Sequence, residues 1–157
     1  MSEIVTFLTF NDQAESAARF YTSIFPGSRI TRISRYPDIE GLPPAGSVMT
    51  VEFQLMGQPF VALNGGPEFS FSQGISISIQ CDTQQEVDEY WARLTDGGRG
   101  VACGWLIDRF GISWQINPKL LMELTTSDDP ATAKKAMLAM MEMVKIDSDA
   151  LRRATRS

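Results

Sequence analysis

The chain contains no histidine in 157 residues. This removes the commonest metal ligand and the side chain best suited to proton transfer near neutral pH. Any Ser-His-Asp, Cys-His or HExxH mechanism is excluded with it. Cysteine is almost as scarce: Cys81 and Cys103 match no CxxC or zinc-ribbon spacing and read as unpaired thiols of a reducing compartment. No apolar run approaches the roughly 20 residues of a membrane span, and acidic Glu3 stands where a signal peptide needs positive charge, so a cytoplasmic protein is expected. Basic residues are outnumbered 14 to 19 and scattered, which argues against nucleic acid and membrane surfaces as partners. The two glycine-rich stretches, Asn64-Gly65-Gly66-Pro67 and Gly97-Gly98-Arg99-Gly100, do not lead from a strand into a helix as a phosphate cradle must. They read as turns, and no cofactor is expected.

What is present is an ordinary apolar content of 43%, enough for one domain with a real core. Residues 4–10 alternate as a strand, and Asn11-Asp12 offers a helix cap. Ala14, Ala17, Ala18, Tyr21, Ile24 and Phe25 then follow helical spacing until Pro26-Gly27-Ser28. Strands are expected over 29–36, 47–55 and 58–64, with a proline-rich loop at 37–46 and a Met56-Gly57 turn. The pattern then repeats: a strand over 74–81, a cap at Asp82-Thr83, a helix with Val87, Tyr90, Trp91 and Leu94 on one face, and strands over 101–107 and 112–117. Two β-α-β-β-β units, about 1–66 and 74–118, form an internal duplication. A C-terminal extension, 119–157, reads as a short helix at 120–124 and a long one from Asp129-Pro130 through Lys145, with Ala133, Ala136, Met137, Met140, Met141 and Val144 as its apolar face. Its methionines suit either an adaptable binding groove or, as we favour, packing on the protein's own core or a partner subunit.

The segments FLTFND, AARFYTSIFPGSRI, SVMTVEFQLMGQPFVALNGGP and CGWLIDRFGISWQINP resemble the vicinal-oxygen-chelate superfamily, and within it PhnB-like proteins labelled 3-demethylubiquinone 3-methyltransferase-like. The resemblance implies an α+β fold of two curved half-barrel sheets enclosing a cleft. In superfamily enzymes such as glyoxalase I and the extradiol dioxygenases it also implies a metal held by the first and last strands of each unit. Those positions match Val5, Ala62, Ser76 and Gln115 here. None carries an imidazole or a carboxylate, so no metal is expected.

Alternation divides each strand between a packed face and a cleft face. The packed face is expected to hold Leu8, Phe10, Val51, Phe53, Leu55, Val61, Leu63, Ile75, Ile77, Ile79, Ile112, Trp114 and Ile116. The cleft face is expected to hold Val5, Phe7, Thr9, Thr50, Glu52, Gln54, Phe60, Ala62, Asn64, Ser76, Ser78, Gln80, Ser113, Gln115 and Asn117. Phe7, Thr9, Asn64, Ser76, Trp105 and Gln115 are the candidate ligand-binding residues, the mix of rings, hydroxyls and amides that suits a small polar-aromatic ligand. Glu52, the single carboxylate on a cleft-facing strand position, is the candidate catalytic residue, set against an ordinary ion pair with Arg32 or Arg35. Asp108 suits its turn, and Tyr36 with its loop is a candidate cover for the cleft. The favoured reading is a metal-independent small-molecule-binding protein. The alternative is a metal-free lyase or isomerase using Glu52 with the Ser76 and Gln115 polar cluster. Exposed edge strands and the methionine-rich helix lead us to expect a homodimer.

Overall fold

The structure is a computed structural model that describes residues 1–156. The chain divides into two compact units, Met1–Ser70 and a second beginning at Phe71. No helix among the described residues is long and apolar enough to cross a membrane.

The first unit runs β1 (Thr6–Phe10), α1 (Ala14–Ile24), β2 (Arg29–Arg35), β3 (Val48–Leu55) and β4 (Gln58–Asn64). Its sheet has the order β1-β4-β3-β2, with β1 parallel to β4 and the other pairs antiparallel. The apolar stripe expected on α1 is the one that is buried: Ala14, Ala17, Ala18, Tyr21 and Ile24. Three alanines on that stripe bring the helix close to the sheet. There the Tyr21 ring lies 6.4 Å from Phe53, which stacks at 5.3 Å on Phe60 of the neighbouring strand.

The cap of α1 differs from the expected Asn11-Asp12. Gln13 occupies the N-cap and makes no side-chain cap bond; instead the Ala14 N–H donates to Asn64 Oδ1 at 2.8 Å. Asn64 Nδ2 donates to the Val48 carbonyl at 3.1 Å, and the Tyr36 hydroxyl donates to the Asn64 carbonyl at 2.5 Å. Asn64 is therefore committed to joining helix, strand and loop on the helix side of the sheet.

That placement corrects the expected faces of β4. Met56 and Gly57 both have positive φ, 48° and 85°, which is the backbone of a two-residue turn matched to the twist of a hairpin. The turn sets Leu55 opposite Gln58, so Phe53 faces Phe60 and Val51 faces Ala62. Phe60, Ala62 and Asn64 consequently share the helix-packed face with Leu8, Phe10, Val51 and Phe53. Val61 and Leu63 stand on the open face, the reverse of the expectation. The physical reason is that β4 lies between β1 and β3 and carries apolar residues on both faces, so its alternation alone does not choose a side.

The second unit repeats the plan with β5 (Ile77–Cys81), α2 (Gln84–Thr95), β6 (Arg99–Gly100), β7 (Trp105–Ile107) and β8 (Ser113–Pro118). Its sheet order, β5-β8-β7-β6 with β5 parallel to β8, is the same as the first. The two-unit α+β architecture is as expected. The first strand is shorter than expected, and Ile75, assigned to the packed face, lies outside it at 81% exposure. Helix α2 has a local start: Thr83 and Glu86 form a reciprocal capping box. Its Val87, Tyr90 and Leu94 are buried with Leu106, Trp114 and Ile116 in the same core. Burial, with smaller contributions from Glu86 and Asp82, pushes the Cys81 thiol up to about 12, which makes it inert at neutral pH.

The Asp108-Arg109-Phe110-Gly111 turn joining β7 to β8 is built around a buried carboxylate. Asp108 Oδ1 accepts from the Phe110 and Ile112 N–H groups at 2.8 and 3.1 Å, and Oδ2 accepts from the Trp114 indole N–H at 2.8 Å. The structural role weighed for Asp108 is thus visible atom by atom.

The extension holds three helices, α3 (Lys119–Thr125), α4 (Pro130–Met141) and α5 (Ser148–Arg156). Helix α4 stops four residues short of the expected Lys145, and only Ala136 of its expected face is buried; Met137, Met141 and Val144 are exposed. Beyond it, the Met143 and Val144 carbonyls accept from Cys103 and Gly104 N–H groups at 2.9 and 2.8 Å, and Ile146 is fully buried. These tertiary bonds take the place of another helical turn. Leu121, Ile146 and Leu151 form a small core of the extension, flanked by Leu124, Ala139, Met140 and Met143.

Candidate ligand-binding site

On the open face of the second sheet, the register sets Ser78 beside Gln115, Gln80 beside Asn117, and Trp105 beside Gln115 on the other flank. Alternation places these polar side chains there because their neighbours Ile77, Ile79, Trp114 and Ile116 are claimed by the helix side. Gln115 Nε2 donates to Ser76 Oγ at 2.9 Å, uniting two of the expected residues and leaving Oε1 available as an acceptor.

The extension lies over this face. A cavity of about 200 Å³ has Ser78, Gln80, Trp105, Gln115 and Asn117 from the sheet side, and Leu121, Met122, Thr125 and Met140 from α3 and α4. Lys119 is the single charged residue lining it among the described residues, and its ammonium pairs with Asp82 at 2.6 Å. Sequence reasoning missed the helical side. The signal is the methionine spacing, which suits a binding groove as well as the favoured packing role, and nothing local shows which sheet face a C-terminal helix will cover.

A strap holds the extension down. Gln84, at the start of α2, donates to the Ile146 carbonyl at 2.9 Å and accepts from the Ser148 N–H at 2.8 Å; Lys145 pairs with Asp88 at 2.6 Å. The hydrogen bond from Lys145, followed by that from Gln84, holds the Asp88 carboxyl below its ordinary 3.8. A carboxylate with a lowered folded-state pKa stabilises the strap when ionised. That contribution is complete above 3.8 and is lost as the pH falls below it through the folded value. Both partners are about half exposed, so it is worth under about 1 kcal/mol. Acidification from about pH 5 to about pH 3 should lower the protection factors of the Cys103 and Gly104 amides, taken against intrinsic exchange at each pH, and Lys145→Met should show the lower protection already at the higher pH. Hydrogen exchange read by NMR checks both.

The first unit places its candidates differently. Phe7 and Glu52 line an open hollow of about 360 Å³ with Val5, Thr31, Gln54 and Val61. Phe7 is exposed, and Thr9 shares its face without lining that hollow. Glu52 has its side chain 46% exposed and stands 4.0 Å from Arg32. Asn64, as described, is on the opposite face. Tyr36, considered as part of a cover, is tied by its hydroxyl to Asn64 and by its backbone to Ser47 and Gly46.

Register also revises the metal-equivalent positions. Phe7 pairs with Val61 as Ser78 pairs with Gln115, so the counterpart of Gln115 is Val61, not Ala62. The set becomes Val5, Val61, Ser76 and Gln115: two aliphatic groups, with a hydroxyl and an amide already bonded to each other. These donors do not fit a divalent metal of that chemistry, and no group of three His, Cys, Asp or Glu among the described residues is placed to hold one.

The model of the 3-demethylubiquinone-9 3-methyltransferase family matches residues 2–117, nearly three-quarters of the chain. The chain belongs to that family. A PhnB protein of Bacillus cereus is 34% identical over 74% of this chain and 99% of its own, with a TM-score of 0.68. The family fold is that of glyoxalase and bleomycin-resistance structures. A Pseudomonas aeruginosa protein shares it at 22% identity, covering 76% of this chain and 98% of its own with a TM-score of 0.61. No curated protein matches. The family match closes at the end of β8, so α3, α4 and α5 lie beyond it. The links from β1 to α1 and from β5 to α2 contain no glycine, unlike the strand-to-helix loop of a dinucleotide-type fold.

Proposed function

We propose that this member of the 3-demethylubiquinone-9 3-methyltransferase family is a metal-independent small-molecule-binding protein, and that its ligand occupies the cavity between the second sheet and the extension. The observation that carries this is the convergence of Ser78, Gln80, Gln115 and Asn117 with Trp105 on one sheet face beneath an apolar helical wall. A few fixed polar groups in an otherwise apolar hollow orient a ligand while burial supplies affinity. Ser76 acts through Gln115, holding its amide by the 2.9 Å bond so that Oε1 can accept from the ligand.

Nothing in the placement of Glu52 favours the lyase or isomerase reading, because its carboxylate is half exposed beside Arg32. The homodimer remains part of the proposal, supported by the exposed Leu138 and Met141 of α4. Native mass spectrometry of protein purified from its own host tests both parts. A dimer carrying an organic adduct is expected, and Gln115→Leu should reduce occupancy about tenfold, the loss of one well-placed hydrogen bond. A monomer contradicts the dimer, while absence of an adduct, or an adduct unaffected by Gln115→Leu, contradicts the site.

A further inference from the structure

We propose that the extension makes this site selective for an uncharged, flat ring bearing both hydrogen-bond donors and acceptors. The inference rests on the binding-site reading above and adds the ligand class and the residues that choose it. The family match ends at residue 117, and the Bacillus cereus relative is covered almost entirely by 74% of this chain. The polar sheet face therefore lies within the shared region, and its helical wall lies beyond it.

The chemistry of that wall sets the ligand. Met122 and Met140 bring polarisable thioethers to a cavity that also presents the Trp105 ring. Thioethers and an indole favour the faces and edges of an aromatic ring over a saturated one of equal size. Across the sheet, Gln115 offers Oε1 and Gln80 a whole amide, so the rim of the ring finds both acceptor and donor. Among the described residues Lys119 is the one charged group lining the cavity, and its pairing with Asp82 leaves the two together without net charge toward a ligand. A ligand carboxylate would lose water and gain only the attraction of a lysine already shared with Asp82, so a neutral ring is favoured. A volume of about 200 Å³ suits one ring with its substituents.

The selectivity is local to few atoms. Met122 is 57% exposed and forms the outer lip, so trimming it leaves the fold intact. Met140 also packs against Leu121, Ile146 and Leu151, so its variants alter the cavity and the extension together.

Ligand-observed saturation-transfer NMR on the full chain, with nicotinamide and hypoxanthine as probes, tests the proposal. Benzoate serves as the charged comparison and cyclohexanecarboxamide as the non-planar one. Both neutral flat probes should bind, and both comparisons should bind at least about tenfold more weakly. Met122→Ala should weaken the flat probes about two- to tenfold, with an unchanged circular dichroism spectrum. Met140→Ala should do the same, with a lower melting temperature. Gln115→Leu should weaken every probe. Flat probes that require Gln115 but ignore Met122, or benzoate bound as well as nicotinamide, would overturn the role of the extension while leaving the binding site in place. Binding indifferent to Gln115, or no binding, would remove both.

Discussion

Asp108→Ala should lower the stability of the second unit by about 3–5 kcal/mol, with a melting temperature about 10 °C lower. The carboxylate is 3% exposed and accepts from two backbone N–H groups and the Trp114 indole. Hydrogen bonds to a charged acceptor are worth about 1.5–3 kcal/mol each, and removing the acceptor strands three donors in a dry site. Asp108→Asn is the sharper variant. If its amide oxygen serves the two backbone donors, its NH2 group meets the indole N–H, donor against donor. Adding Trp114→Phe removes that opposition, so the double variant should be less destabilised than the sum of the singles. Thermal and denaturant unfolding of the four proteins give the coupling directly.

Gly104→Ala should cost about 2–4 kcal/mol and distort the cavity at the same time. Gly104 has φ of 86°, a conformation that costs an L residue about 1–2 kcal/mol. A Cβ there would also stand 2.1 Å from Asn117 Oδ1 and 3.0 Å from Ile146 Cγ1. Asn117 lines the cavity and Ile146 anchors the extension, so relief of either contact reshapes the site. Gly57→Ala is the control, because its φ is 85° but nothing lies within 4 Å of the added carbon. The excess of the first cost over the second, read by denaturant unfolding, measures the contact. Probe binding should fall in Gly104→Ala and persist in Gly57→Ala. Equal costs and equal binding would show that Asn117 and Ile146 simply move aside.

Much of this architecture is legible in the residues. The α1 stripe from Ala14 to Ile24 is nearly free of exceptions, and Val87, Tyr90 and Leu94 repeat it, because the apolar face of each helix packs on a single sheet. Gln115 and Ser76 were readable as a polar pair because Trp114 and Ile116 fix the parity of their strand. The parity of β4 was readable too, but from its turn: with two residues at Met56-Gly57, Phe53 must oppose Phe60. The run Phe60 to Leu63 hides that answer from any inspection of alternation alone.

The extension was least legible. Helix α5 buries only Ser148 and Leu151, and its amphipathic pattern comes from its arginines, not from an apolar stripe that would mark it as part of a core. The early end of α4 depends on backbone acceptors near residue 144 meeting donors about 40 positions earlier, and no local pattern encodes such a meeting. The cavity was hidden for the same reason, since five of its twelve lining residues come from helices whose destination is tertiary.

The capping of α1 has a consequence for how the duplicated units assemble. Helix α2 carries its own start signal in Thr83 and Glu86, so its first turn can be stabilised while the rest of the unit is still unformed. Helix α1 receives its capping acceptor from Asn64, 50 residues further along, and must wait for β4 to arrive. Two copies of one plan are thereby expected to fold by different routes: helix first in the second unit, and helix and sheet together in the first.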